Sequence, residues 1–173
     1  MKIRRLILTA LFAALGVLLP IVFHSVPNAG AIFLPMHIPV LLCGLLCGWP
    51  YGLACGILAP LLSSFLTSMP PMAILPGMLC ELAVYGAVSG LLHRFIRTKK
   101  PIANLYLSLI GAMLAGRAVS GLLNGLIFRA GKYTFEVWLT ASFVTALPGI
   151  VIQLALIPLL VVALRKALGK GMV

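Results

Sequence analysis

The segment LPMHIPVLLCGLLCGWPYGLACG, residues 34–56, contains no Lys, Arg, Asp or Glu, and Gly44, Gly48, Gly52 and Gly56 recur in it every four residues. It reads as two apolar helices meeting at a turn near Gly48-Trp49-Pro50. The four-residue period lines small residues along one face, which lets backbones approach closely where lipid removes the hydrophobic drive for association. Pro35 and Pro39 restrict helix at the upstream end, so the chain is expected to enter this crossing irregularly, against a protein-lined or water-lined cavity.

Outward from this pair, apolar runs interrupted by charge or by Pro and Gly place spans near 5–23, 36–49, 51–68, 73–93, 103–128 and 138–164. A crossing needs roughly 20 apolar residues for a core of about 30 Å. The chain of 173 residues is 62% hydrophobic and 9% charged, with a mean hydropathy of +1.20. No soluble domain with a solvated surface has that composition. The expected fold is an all-α membrane protein, a compact bundle of six transmembrane helices forming a single domain over 1–173.

The net charge of +11 would suggest nucleic acid in a soluble protein. In this chain the cations cluster between apolar runs, so no nucleic-acid partner is expected. Lys2, Arg4 and Arg5 precede the first span; Arg94, Arg97, Lys99 and Lys100 separate the fourth from the fifth; Arg165, Lys166 and Lys170 follow the sixth. By the positive-inside rule all three clusters are cytoplasmic, and an even number of crossings puts both termini there. The loops 24–35 and 69–72 carry no Lys or Arg and face outward; Arg129 and Lys132 alone dilute the pattern. Ala29-Gly30-Ala31 after a basic start resembles a cleavable leader, but the apolar stretch is longer than a leader's core, so the first span is expected to be retained.

Glu81 and Arg117 lie well inside the fourth and fifth spans. A charge at that depth is costly and normally faces a cavity or a partner. From the outer ends of their spans they sit about 12 Å and 16 Å deep at 1.5 Å per residue, close enough in level to meet. Tyr85 lies one turn beyond Glu81, while Ser120 and Asn124 share a face with Arg117. In the sixth span Thr145, Gly149 and Gln153 form another stripe, and His37 stands at the outer mouth of the second. Together these residues would line a pocket open to the exterior. In it Arg117 would meet an anionic group, and Glu81, Asn124 and His37 would bond hydroxyl or amide groups. The alternative is a buried Glu81–Arg117 pair that only sets helix register. Gln153 lies deep, where a helix-bridging amide fits equally well. Aromatic residues near the outer pocket look sparse, which argues against a large flat ring as ligand.

Several chemistries lack their residues. There is no G-x-x-x-x-G-K-[ST] loop, no H-E-x-x-H helix and no paired acidic motif, so neither nucleotide hydrolysis by that route nor a metal site is expected. Cys43, Cys47, Cys55 and Cys80 fall in apolar stretches, where cysteine acts as a small hydrophobe. Ser89 and His93 invite comparison with an intramembrane hydrolase, but a Ser in a Gly-flanked packing face fits better, and no catalytic residue is assigned.

Taken together, several motifs resemble the substrate-binding S components of energy-coupling factor (ECF) vitamin transporters, closest to the pantothenate-type members. They are Leu8-Thr9-Ala10-Leu11-Phe12-Ala13-Ala14-Leu15, the Leu34–Leu41 stretch leading to Gly44 and Gly48, Tyr51-Gly52, Met69-Pro70-Pro71-Met72, Glu81-Leu82-Ala83 and Tyr85-Gly86. The resemblance spans nearly the whole chain. It implies a non-enzymatic subunit of a bacterial plasma membrane transporter that captures a vitamin from outside, with His37, Glu81, Tyr85, Arg117, Asn124 and Thr145 as the substrate-binding set. It also implies docking on a transmembrane T component through Ala10 and Ala14. Two partner ATPases would hydrolyse the ATP, leaving this chain without a cofactor. Loops 24–35 and 69–72 would close over the ligand. The competing readings are an autonomous small-solute carrier and an intramembrane enzyme.

Overall fold

In hydrocarbon every backbone N–H and C=O must be satisfied within the protein, and a helix does this segment by segment. The computed structural model describes residues 2–23, 28–96, 98–131 and 133–168, and among them there is no strand. The helices are α1 (Lys2–Val22), α2 (Ala29–Phe33), α3 (His37–Cys47), α4 (Trp49–Thr67), α5 (Leu75–Phe95), α6 (Pro101–Leu123), α7 (Phe135–Leu139) and α8 (Leu147–Leu168). A π-helical turn, Asn124–Phe128, continues α6, and another, Thr140–Thr145, continues α7. Six stretches are long and apolar enough to cross a membrane, as the composition requires.

Burial explains the layout. On α1, Thr9, Phe12, Ala13, Gly16 and Val17 are buried at helical spacing, while Ile3, Leu6, Ile7, Ala10, Leu11, Ala14 and Leu18 point outward. Helix α3 differs: His37 and every residue from Pro39 to Cys47 are buried. A helix apolar on all sides belongs in the interior, and α3 packs against α1, α4, α5 and α8. Its short length suits that place, because neighbours shield it from lipid.

Glycine sets the closest crossing. Any Cβ on Gly52 would strike the Gly86 carbonyl, one on Gly86 would strike the Gly52 carbonyl, and one on Gly44 would meet both Gly86 and Ser89. Helices α3, α4 and α5 therefore touch backbone to backbone. Gly48 joins α3 to α4 at φ 99°, a conformation that side chains disfavour. The glycine period is thus used for packing within the chain.

The helix ends sort the charges. Arg165 bonds the His93 ring at 2.7 Å and the Leu45 carbonyl at 3.3 Å, tying the ends of α3, α5 and α8 together. Cys43 donates to the Thr9 hydroxyl at 3.6 Å, bringing the first half of α1 to the last turns of α3. Lys2, Arg4 and Arg5, Arg94, Lys99 and Lys100, and Arg165 and Lys166 consequently share one end of the bundle. His24, Arg97, Lys132 and Lys170 lie outside the described residues.

Two crossings depart from their expected limits. The second begins at Ala29, ahead of residue 36, because Ala29–Phe33 is already helical and lies on α8, where Gly149 abuts Ile32 and Phe33. The expected irregularity is confined to Leu34–Met36, with Leu34 in the left-handed region at φ 51°. Five residues of the expected outer loop 24–35 are therefore helix. The sixth crossing begins at Leu147 and not at 138. Pro148 lacks an N–H and disfavours helix before it, so α8 starts afresh there. The preceding α7 is capped separately by Thr134, whose hydroxyl accepts from the Val137 amide at 3.3 Å.

The α4–α5 crossing can be tested directly. Gly86→Val should lower stability by about 1–3 kcal/mol or prevent assembly, since the added carbons meet backbone. Gly30→Ala, whose Cβ meets nothing within 4 Å, should leave it unchanged. Thermal unfolding in detergent distinguishes the two.

Candidate functional site

Helices α3, α5, α6 and α8 surround the polar residues of the bundle interior. Gly116 leaves room on α6 for the ring of Tyr85, which is fully buried. That contact sets Arg117 beside α5, where its Nε donates to the Tyr85 hydroxyl at 2.8 Å. On the other side of the same ring, His37 packs edge-on with centroids 5.2 Å apart. The His37 Nε2 lies 3.8 Å from the Glu81 Oε1. Tyr85 thus links a cation on α6 to an imidazole on α3, with Glu81 one turn away on its own helix. Arg117 and Glu81 form no direct salt bridge, so the register-setting pair considered from sequence is replaced by a chain through Tyr85.

Exposure separates the members. Arg117 and His37 are 2% and 3% exposed, whereas the Glu81 side chain is 20% exposed despite its depth. Glu81 is therefore the most exposed side chain of this cluster. The Arg117 Nη1 and both ring nitrogens of His37 are buried without a hydrogen-bond partner. Buried polar atoms in that condition are costly in an apolar setting, and they retain full capacity to bind.

Beside the start of α5, the Asn124 amide donates to the Ser120 carbonyl at 2.8 Å and packs against Gly77, and the Ser120 hydroxyl reaches the Gly77 carbonyl at 3.4 Å. Asn124 continues the Arg117 face of α6; its amide donates back to Ser120, and it is the Ser120 hydroxyl that bonds the start of α5. Thr145, the last residue of the second π-turn, is exposed, and no hydrogen bond or ring contact among the described residues joins it to the others. Gly149 packs on α2, one turn above a fully buried Gln153. The structure thus brings together His37, Glu81, Tyr85 and Arg117, places Asn124 above them and leaves Thr145 apart.

The segment between the fifth and sixth crossings contributes groups that the sequence reading did not assign. The Trp138 indole donates to the Arg117 carbonyl at 3.0 Å and fills the space beside Gly121. Phe143 stacks edge-on against Trp138 at 5.5 Å, and the Arg117 guanidinium lies 5.3 Å from the Phe143 centroid. Such a cation–ring contact contributes about 0.5–2 kcal/mol. Tyr133, in the loop after α6, stacks under the Arg129 guanidinium at 6.0 Å, and burial raises its phenol above the ordinary value. The expectation of few aromatic rings near this layer is overturned by Trp138 and Phe143. The signal was hidden because Trp138 and Phe143 meet across a π-helical turn; five residues apart, they diverge on an α-helix.

At the opposite end, Ser89 donates to the Gly86 carbonyl at 3.2 Å while His93 is held by Arg165, so the serine and the imidazole do not address one another. Among the described residues no group of His, Cys, Asp or Glu is placed to hold a metal.

Six apolar crossings around a buried polar layer define a multi-pass membrane protein. Residues 4–161 match the sequence profile of the ECF transporter, substrate-specific component, and the chain belongs to that family. It is accordingly the substrate-binding membrane subunit of an ECF transporter, which works with T and ATPase partner subunits. No curated protein and no solved structure was found to match the chain.

Tyr85→Phe removes the hydroxyl that accepts from Arg117 and leaves a buried guanidinium short of a partner. It should lower stability by about 1.5–3 kcal/mol, the range for a hydrogen bond to a charged group. Chemical unfolding in detergent, followed by the fluorescence of Trp138, measures it.

Proposed function

We propose that this subunit captures a small anionic vitamin or related micronutrient from outside the cell at the layer formed by His37, Glu81, Tyr85 and Arg117, with Asn124 and Thr145 nearer the mouth. The observation that carries this reading is the Arg117 side chain, buried and held by Tyr85 through Nε alone, with Nη1 uncommitted. A guanidinium presented in this way suits a carboxylate, which it can engage through parallel N–H groups. Pantothenate matches the set: its carboxylate suits Arg117, and its hydroxyl and amide groups suit Glu81 and Asn124. Trp138 and Phe143 beside Arg117 favour a second reading, a vitamin with a planar ring.

In this scheme the shared cationic end of the bundle is cytoplasmic by the positive-inside rule, in a bacterial plasma membrane. Both termini then face the cytoplasm, and Glu81 opens to the exterior. Ala10 and Ala14, exposed on the outward face of α1 among larger apolar residues, form a shallow notch to receive the T component. The two ATPase subunits supply the hydrolysis that moves the substrate inward, so this chain carries no cofactor.

Two measurements separate capture from coupling. Arg117→Ala should weaken pantothenate binding in detergent at least tenfold, a loss of about 1.4 kcal/mol or more. Ala10→Leu with Ala14→Leu should leave binding intact while abolishing co-purification with the T component and uptake in vesicles. Uptake by the isolated chain at full rate would sink the partner-dependent reading.

A further inference from the structure

Ala146, just before α8, and Gly149, Gln153, Ile157 and Val161 on it form an inward stripe, each buried. Four of these are small or apolar and one is an amide. Gln153 is 0% exposed, and neither its Oε1 nor its Nε2 has a hydrogen-bond partner in the protein. A bridging amide holds another helix by definition, so the helix-bridging role open from sequence is not what this side chain performs. A primary amide left unpaired in an apolar interior is disfavoured, and a leucine would pack in the same volume without that cost.

Its level in the bundle is informative. Gly149 abuts Ile32 and Phe33, just above the start of α3, and Gln153 lies one turn deeper, by about 6 Å. That is the level of His37 and the first turn of α3, against which α8 packs. Gln153 and Glu81 each stand six residues inside their helices, counted from Leu147 and Leu75. Polar atoms without a hydrogen-bond partner therefore stand on three helices, Arg117 Nη1 on α6, His37 Nδ1 on α3 and the Gln153 amide on α8, and α8 packs against both α3 and α6.

We propose that Gln153 is a fourth-helix binding residue, which recognises an amide-type group, an N–H donor beside a C=O acceptor, on the same molecule whose anionic group meets Arg117. An amide offers one donor and one acceptor side by side, and its best complement is another amide edge. This rests on the capture reading above and narrows its substrate class to carboxylates that also carry an amide or lactam. A site built to bond such a group discriminates strongly against an analogue without it, because its own buried polar atoms would stay unpaired.

The test compares two probes, pantothenate and its ester isostere, which keeps the same carboxylate and hydroxyls but has oxygen in place of the amide N–H. Binding of each to the purified full chain is measured for wild type, Gln153→Leu and Arg117→Ala, alongside thermal unfolding without ligand. Wild type should prefer pantothenate at least tenfold, Gln153→Leu should bring the two within twofold, and Arg117→Ala should weaken pantothenate tenfold or more. Gln153→Leu should unfold at the wild-type temperature or above it. Retained tenfold preference in Gln153→Leu, or a fall in its unfolding temperature of more than about 5 °C, the size of a lost structural contact, overturns the role of Gln153 while leaving Arg117 in place. Pantothenate binding indifferent to Arg117→Ala, or absent from wild type, overturns the capture reading and this inference with it.

Discussion

A guanidinium inside a hydrocarbon layer persists only where protein dipoles replace the water it has lost. In this chain that replacement is the Tyr85 hydroxyl, and much of the bundle is arranged to hold it. Tyr85 is buried between α3 and α6 because Gly116 has no side chain to exclude its ring, and because Gly86, the next residue, lets α5 lie directly against α4. His37 then meets the ring edge, and Glu81 falls beside His37. The backbone crossing of α3, α4 and α5 and the polar layer are therefore one construction.

That construction bears on function through what is left uncommitted. Arg117 is restrained at Nε, by a cation–ring contact with Phe143 and by Trp138 bonded to its own carbonyl, while Nη1 remains available. The side chain is oriented before any solute arrives, which reduces the ordering cost of binding. Glu81 is the most exposed side chain of the layer, and Trp138 and Phe143 of α7 and its π-turn cover the cation from the side. A subunit of this family needs to bind and to dock, since its partners supply the ATPase activity. Its outer surface is accordingly apolar, with the exposed alanines of α1 as its least bulky stretch.

The helical class and the number of crossings were legible in the chain because both follow from local composition: apolar runs of crossing length, separated by Lys and Arg clusters, leave the backbone no alternative in lipid. Glu81 and Arg117 were conspicuous for the same reason, as charges where charge is costly. The glycines at 44, 48, 52 and 56 announced close packing by their period alone. Helix limits were harder where two signals competed. The apolar Ala29–Phe33 segment looked like loop because prolines follow it, yet it folds as a turn of helix against α8. Residues 138–145 looked continuous with the sixth crossing because their hydropathy is, and the restart at Leu147 depends on Pro148.

Sequence by itself thus determined an all-helical membrane protein with six crossings and a small number of intramembrane polar residues, since hydropathy and charge act residue by residue. Tertiary structure alone decided which of those residues meet. It gave Arg117 to Tyr85 and Glu81 to His37, brought Trp138 and Phe143 over the cation through a π-turn, and left Gln153 facing inward without a partner. The physical reason is that helical spacing defines a face but not its neighbour. Which face meets which is set by close contacts between distant residues, and a shift of one residue in a turn, such as the π-turn at Thr140–Thr145, redirects every side chain beyond it.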